Sequence, residues 1–256
     1  MTGTDSWGRK MERGEVGRHD TCVCNMADDN EDCYGSIGFM FDAEHAKITE
    51  TIQLGDYSVQ LRIIGDDPGH VQSGQYLWPA AKYLGKYLLE NWACEGRKVI
   101  VELGSGAGFC GIIAALLGGA TTNVFLTDYD PGCIDILTVN IVLNQCECNT
   151  RVESLSWGKA LPESLLAALE TGAGDLLLLA SDVIYSTSVV GPLFETVLTI
   201  LKYGGCFLLA SSFDIGEVSM SVSALMCDNY QCIGDKIVLF ICVIDVNDLI
   251  LFCFRS

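Results

Sequence analysis

Between residues 98 and 211 the chain alternates short apolar runs with longer stretches whose apolar residues recur every three or four positions. The runs predict strands at 98–103, 123–127, 151–155, 175–181 and 206–211. The periodic stretches predict helices at 109–117, 131–144, 162–170 and 192–201, with Pro131 suited to a first helical turn. DLLLLAS, residues 175–181, is apolar in succession, as a parallel strand covered on both faces should be. Upstream, Ala80, Tyr83, Leu84, Tyr87, Leu88 and Trp92 fall at helical spacing and predict a helix from Pro79 to Asn91. Such strand-then-helix alternation predicts an α/β fold: a mostly parallel sheet with helices on both faces.

The flanks read differently. Residues 1–33 mix Gly, Arg, Glu and Asp without periodicity and read as a disordered tail. FMF, KITETIQL and SVQLRII, between 38 and 64, are separated by turn residues and predict a small antiparallel ribbon. A last helix is expected near 217–227. KIVLFICVIDVNDLILFCF, residues 236–254, could span a bilayer only with Asp245, Asn247 and Asp248 at mid-membrane, which is costly. Two strands joined by a turn at Val246-Asn247-Asp248 fit better and would close the sheet with an antiparallel pair. The expected organisation is one domain over 34–256, with a β accessory at 34–70 and an α/β core at 71–256.

Charge narrows the partners. The chain carries 33 acidic against 15 basic residues, a net charge of −18. That argues against a phosphate-neutralising nucleic-acid surface and is compatible with a Lys- or Arg-rich protein segment. The 13 cysteines are odd in number, and several, such as Cys206, Cys242 and Cys253, sit inside apolar runs as small core residues do. With no charged segment leading into an apolar stretch at the start, a reduced compartment is expected, the cytoplasm, with the nucleus as a second location. Cys22-x-Cys24 and Cys146-x-Cys148 lack the spacing and the second half of a zinc site, so no metal is expected.

The chemistry concentrates in VELGSGAGFCG, residues 101–111, which has two frames. Gly106, Gly108 and Gly111 spell G-x-G-x-x-G, the dinucleotide fingerprint. Gly104, Gly106 and Gly108 spell G-x-G-x-G, opening where the apolar strand VIVEL stops. The second frame fits the strand better and leaves Gly111 on the helix face that packs on the sheet. Glu102, at the strand end, could hold a ligand's ammonium, whereas a carboxylate there would repel a pyrophosphate. Asp128 ends the next strand twenty residues beyond Gly108. An acid so placed can accept from both ribose hydroxyls. Loop and acids together suit a nucleoside with a cationic tail, S-adenosylmethionine, better than a nicotinamide dinucleotide. That reading asks both carboxylates to face the same crevice; if either only caps a helix, fold likeness alone remains.

VELGSGAGFCGI, then LTDYDP, then LLLASDVIY resembles the seven-stranded, Rossmann-like S-adenosylmethionine-dependent methyltransferases. More narrowly, Asp182-Val183-Ile184-Tyr185 resembles the motif of the Asp-x-x-Tyr branch of protein methyltransferases. That branch contains many lysine methyltransferases and at least one arginine-directed member. YLWPAAKYLGKYL resembles the helix before the glycine loop in that branch, and SLSWG the segment after its third core strand. The resemblance covers roughly residues 74–211. It implies Asp182 and Tyr185 at the acceptor side, with Trp78, Glu102, Gly104, Gly106, Asp128, Tyr129, Trp157 and Ser181 around the cofactor, Trp157 near the adenine.

The implied reaction is an in-line displacement in which a nitrogen lone pair attacks a sulfonium methyl, leaving the protein to align the partners and exclude water. A lysine acceptor, with a free pKa near 10.4, must lose its proton first. Asp182 would orient the nitrogen and Tyr185 shape its channel. The implied substrate is a protein, with a lysine side chain as acceptor; an arginine or small-molecule acceptor, or an idle binding module, are the alternatives, and a monomer is expected. Rival chemistries lack their parts. The histidines are His19, His45 and His70, all outside the α/β core, and the sequence has no G-x-x-x-x-G-K-[ST] loop.

Overall fold

The computed structural model describes residues 47–65, 74–91 and 94–212, and the backbone course of 237–244 and 249–254. The expected tail at 1–33, the FMF run and the helix at 217–227 lie outside the described residues.

The described chain opens with a two-stranded ribbon. β1 (Lys47–Leu54) and β2 (Tyr57–Ile64) pair antiparallel around a two-residue turn at Gly55-Asp56, with Leu54 opposite Tyr57. Val59, Leu61 and Ile63 alternate inward from β2 and are buried. α1 (Pro79–Glu90) then starts on Pro79, whose missing N–H costs nothing in a first turn, and buries Ala80, Ala81, Leu84 and Leu88.

From there the alternation seen in the sequence is regular. β3 (Val99–Leu103) leads to α2 (Phe109–Gly118), and β4 (Asn123–Asp128) follows after a short 3-10 turn at Gly119–Thr121. α3 (Pro131–Leu143), β5 (Thr150–Ser154), α4 (Glu163–Thr171) and β6 (Leu176–Ser181) come next, then α5 (Thr187–Leu201) and β7 (Gly205–Ala210). β8 (Ile237–Ile244) and β9 (Leu249–Phe254) complete the sheet. Within the run at 236–254, β8 and β9 are strands, the expected turn at Val246-Asn247-Asp248 lies outside the described residues, and no helix among the described residues is long and apolar enough to cross a membrane.

One boundary moves. The helix expected from Pro192 begins five residues earlier, at Thr187. Ser186 caps it by accepting from the Ser188 N–H. Pro192 therefore sits inside the helix and leaves the Ser188 carbonyl without its helical donor. Ser188 is exposed, so water can take that place.

The sheet order is β5-β4-β3-β6-β7-β8-β9, with every neighbouring pair parallel except β8 and β9. β3 lies beside the central strand β6, and the chain runs outward from β3 first toward β5 and then, from β6, toward β9. The order therefore reverses between β3 and β6, and a crevice opens beyond their carboxyl ends. Alternation divides the core into two. Ile100, Leu126, Leu177 and Leu179 face α1, α2, α3 and the ribbon. Val101, Leu103, Leu178 and Phe207 face α4 and α5.

Candidate active site

The glycine loop leaves β3 at this reversal. Gly104, Gly106 and Gly108 have φ of +63°, +53° and +83°, the left-handed region open to glycine. Gly111 lies inside α2, where a Cβ would run into the Leu126 side chain. The chain thus uses the Gly104 frame, and Gly111 serves close packing. Space adds to conformation. A side chain on Gly106 would collide with the Gly74 carbonyl, and a Cβ on Gly104 would lie 2.9 Å from Val183 and 3.1 Å from the Trp157 ring. Ser105 pins the loop to β4. Its N–H donates to the Thr127 carbonyl, and its hydroxyl accepts from the Thr127 N–H, both at 2.9 Å.

Asp128 ends β4 and meets the loop. Oδ2 accepts from the Gly106 N–H at 2.9 Å and Oδ1 from the Asp130 N–H at 3.0 Å. Burial pushes its pKa up, and those backbone donors pull it back. The carboxylate lines a cleft of about 210 Å³ at the switch point.

Glu102 departs from expectation. It is 1% exposed and does not line that cleft; its Oε2 accepts from the Gly111 N–H at 3.0 Å. The reason is the pleat: Glu102 shares a sheet face with Ile100, so its side chain projects under α2 rather than out past the strand end. It caps the helix instead of facing a ligand, so the requirement that both carboxylates face the crevice is not met, and a cofactor reading can no longer rest on the paired acids but needs support beyond them. Burial pushes its pKa up to about 7, opposed by the Gly111 bond.

The opposite wall comes from β6 and α1. Asp182 lines the cleft in a left-handed backbone conformation, φ +52°. Both of its oxygens are engaged: Oδ2 accepts from the Ala80 N–H at 2.9 Å, and Oδ1 from the Ser212 N–H at 2.6 Å and its hydroxyl at 2.9 Å. The side chain thereby brackets the start of α1 to the end of β7, and burial raises its pKa. Trp78, the residue before α1, lines the cleft and meets Tyr76 edge-on at 5.4 Å. Ser181 and Trp157 are half-buried in the same lining. Tyr129 and Tyr185 stand at the mouth, 66% and 38% exposed. The Tyr185 hydroxyl is held in its protonated form by burial and by the neighbouring Tyr129 and Asp128.

Nine of the ten residues expected at the site therefore meet in one cleft, and Glu102 lies beneath it. Gly74, Tyr76, Ala107 and Cys133 also line it and were not foreseen. The signal available for Gly74 was its place just ahead of the YLWP stretch; Ala107 offered only its place within the loop. Among the described residues, the lining includes the carboxylates of Asp128, Asp130 and Asp182 and no Lys or Arg. Glu102 already takes one first-turn N–H of α2, and a lining with carboxylates and no Lys or Arg among the described residues does not suit a pyrophosphate.

Known proteins decide the family. The profile of a family described as lysine methyltransferase matches residues 58–213. The chain belongs to the lysine methyltransferase family. The family match runs from β2 to just past β7 and includes every residue of the cleft. Among its relatives, a protein N-terminal and lysine N-methyltransferase, EFM7, of Cryptococcus neoformans is 35% identical over 144 residues, 55% of this chain and 46% of that one. A histone-arginine methyltransferase, METTL23, of Rattus norvegicus is 26% identical over 159 residues, 61% of this chain and 67% of that one. A protein N-lysine methyltransferase, METTL21A, of Danio rerio is 32% identical over 124 residues, 47% of this chain and 52% of that one. The chain thus spans about half the length of the first of these relatives.

Proposed function

We propose that this chain is an S-adenosylmethionine-dependent protein N-methyltransferase whose acceptor is a lysine side chain. The observation that carries the reading is the cleft at the β3–β6 reversal: a left-handed glycine loop, Asp128 beside it, and a lining with carboxylates and no cation among the described residues. These features fit a nucleoside with a positive tail. Gly104 and Gly106 leave room for close approach, Asp128 has lone pairs left for two ribose hydroxyls, and Trp157 offers an aromatic face for the base. Bound there, S-adenosylmethionine would supply a methyl group already activated by its sulfonium.

The protein's own part is alignment. Asp182, with both oxygens taken up by Ala80 and Ser212, fixes the α1 start and so the Trp78 wall; its influence on the acceptor is through that wall. Tyr185 and Tyr129 flank the entrance, and the Tyr185 hydroxyl can accept from or donate to an amine passing it. With a sulfonium bound beside it, an incoming ammonium would lose its proton more readily, which favours the neutral nucleophile. The net charge of −18 suits a basic target segment on a protein substrate. Cys94, Cys110, Cys133, Cys146 and Cys206, buried and unpaired, suit a reducing compartment, cytoplasmic or nuclear.

Transfer of a tritiated methyl group from the labelled cofactor to lysate proteins, followed by hydrolysis and amino-acid analysis, tests the reading. Label in methyl-lysine is expected. Label in methyl-arginine or on an amino terminus would reassign the acceptor, and no label above that of a boiled control would overturn the activity.

A further inference from the structure

α3 treats the free edge of the ribbon as a neighbouring strand. Asn144 accepts from the Gln60 N–H at 2.9 Å and donates to the Gln60 carbonyl at 2.7 Å. One turn earlier, Asn140 accepts from the Arg62 N–H at 2.7 Å and donates to the Arg62 carbonyl at 3.2 Å. Two side-chain amides at (i, i+4) thus satisfy alternate residues of β2, as a paired strand would. Beyond β2 the two differ: Asn144 is half-buried and its amide also donates to the Asn140 carbonyl at 2.8 Å. Asn140 is fully buried and also donates to the carbonyl of Ala107, inside the glycine loop, at 2.8 Å.

That extra bond closes a ring around the cleft. Gly106 packs against the Gly74 carbonyl; Ala107, next in the loop, is held by Asn140; Asn140 holds Arg62. Two residues on, the Ile64 N–H donates to the Gln75 carbonyl at 3.0 Å, which returns the ring to Gly74. Both walls of the cleft, the loop and the 74–78 segment, are therefore tied to the same ribbon, and Asn140 is the joint.

We propose that Asn140 is a positioning residue for the cofactor, setting the glycine loop against the 74–78 wall through the Ala107 carbonyl. The proposal rests on the cofactor assigned above. It gives the ribbon a purpose: it is a brace for the binding loop as well as an accessory to the core. Asn144, which makes the same contacts with β2 and none with the loop, is the matched control, and Asn149 is a second. Asn149 is buried and donates to the Ala115 and Gly119 carbonyls at the far end of α2.

The test compares Asn140→Ala with Asn144→Ala and Asn149→Ala, each well below its unfolding temperature. Three quantities are read: S-adenosylhomocysteine affinity by calorimetry, amide exchange of residues 104–108 in the cofactor-free chain, and cofactor KM against kcat. Asn140→Ala should weaken binding roughly tenfold, the scale of one lost buried hydrogen bond, and raise KM more than it lowers kcat. It should also speed exchange in the loop, while both controls lose stability but keep the wild-type affinity within about twofold. If Asn140→Ala does not fold, Asn140→Leu, close in volume and uncharged, removes the same bonds without leaving a cavity. Wild-type affinity and loop protection in the Asn140 variant, or equal weakening by Asn144→Ala, would overturn the inference alone. A wild-type chain that binds no S-adenosylhomocysteine would overturn the cofactor assignment and the inference with it.

Discussion

At the scale of single residues, Asp128 and Glu102 show what a sequence can and cannot announce. Asp128 was legible because its place depends on one distance along the chain, a strand end twenty residues past the loop. Glu102 sits one residue before a strand end, and whether it faces ligand or core depends on the pleat and on where α2 lands. Only the packing of Gly111 against Leu126 settles that. The roles predict opposite outcomes. Asp128→Ala removes an ionised acceptor for the Gly106 N–H and, on the proposed reading, for the ribose, and should weaken S-adenosylhomocysteine by at least about 100-fold in calorimetry. Gly106→Ala must both adopt φ +53° and avoid the Gly74 carbonyl, so it should lower the unfolding free energy by about 1–3 kcal/mol in urea titrations and weaken binding as well.

At the scale of elements, the site is a set of ties between element ends. Glu102 caps α2, and its titration should be visible in stability. Its folded pKa, about 7, lies above the ordinary 4.5, so the fold favours the protonated form. That contribution is whole below about pH 4.5 and is lost as pH rises toward 7. Glu102→Gln keeps an acceptor for Gly111 without titrating. Its unfolding free energy relative to wild type should therefore rise between pH 5 and pH 8, by up to about 3 kcal/mol. A flat difference would place the Glu102 carboxyl in contact with solvent. Asp182 ties α1 to β7. Asp182→Ala strands two backbone donors and should cost about 3 kcal/mol in urea unfolding, whereas Asp182→Asn, which keeps one acceptor and tolerates a left-handed backbone, should recover about half of it. The Asp-x-x-Tyr motif was legible as a motif, but its carboxylate's partners were not: Ala80 and Ser212 lie 102 and 30 residues away. The early start of α5 escaped for a local reason, because Pro192 looks like a first-turn residue until Ser186 is seen to cap.

At the scale of the molecule, most of the fold was written in the hydrophobic pattern. Strands buried on both faces, such as Leu176–Ser181, carry unbroken apolar runs, and the helices between them keep their spacing. Strand order is less legible, yet right-handed crossovers and the position of the glycine loop leave few arrangements open. The ribbon's attachment was invisible in advance, since two asparagines four residues apart read as ordinary polar positions on a helix. Those arrangements converge on one crevice whose lining, among the described residues, bears carboxylates and no cation, and the account stands on what that crevice accepts. Calorimetric titration of the chain with S-adenosylhomocysteine and, separately, with NADH is the most direct measurement. Saturable one-to-one binding of the first and no heat from the second is the predicted result; binding of NADH alone, or of neither, would contradict it.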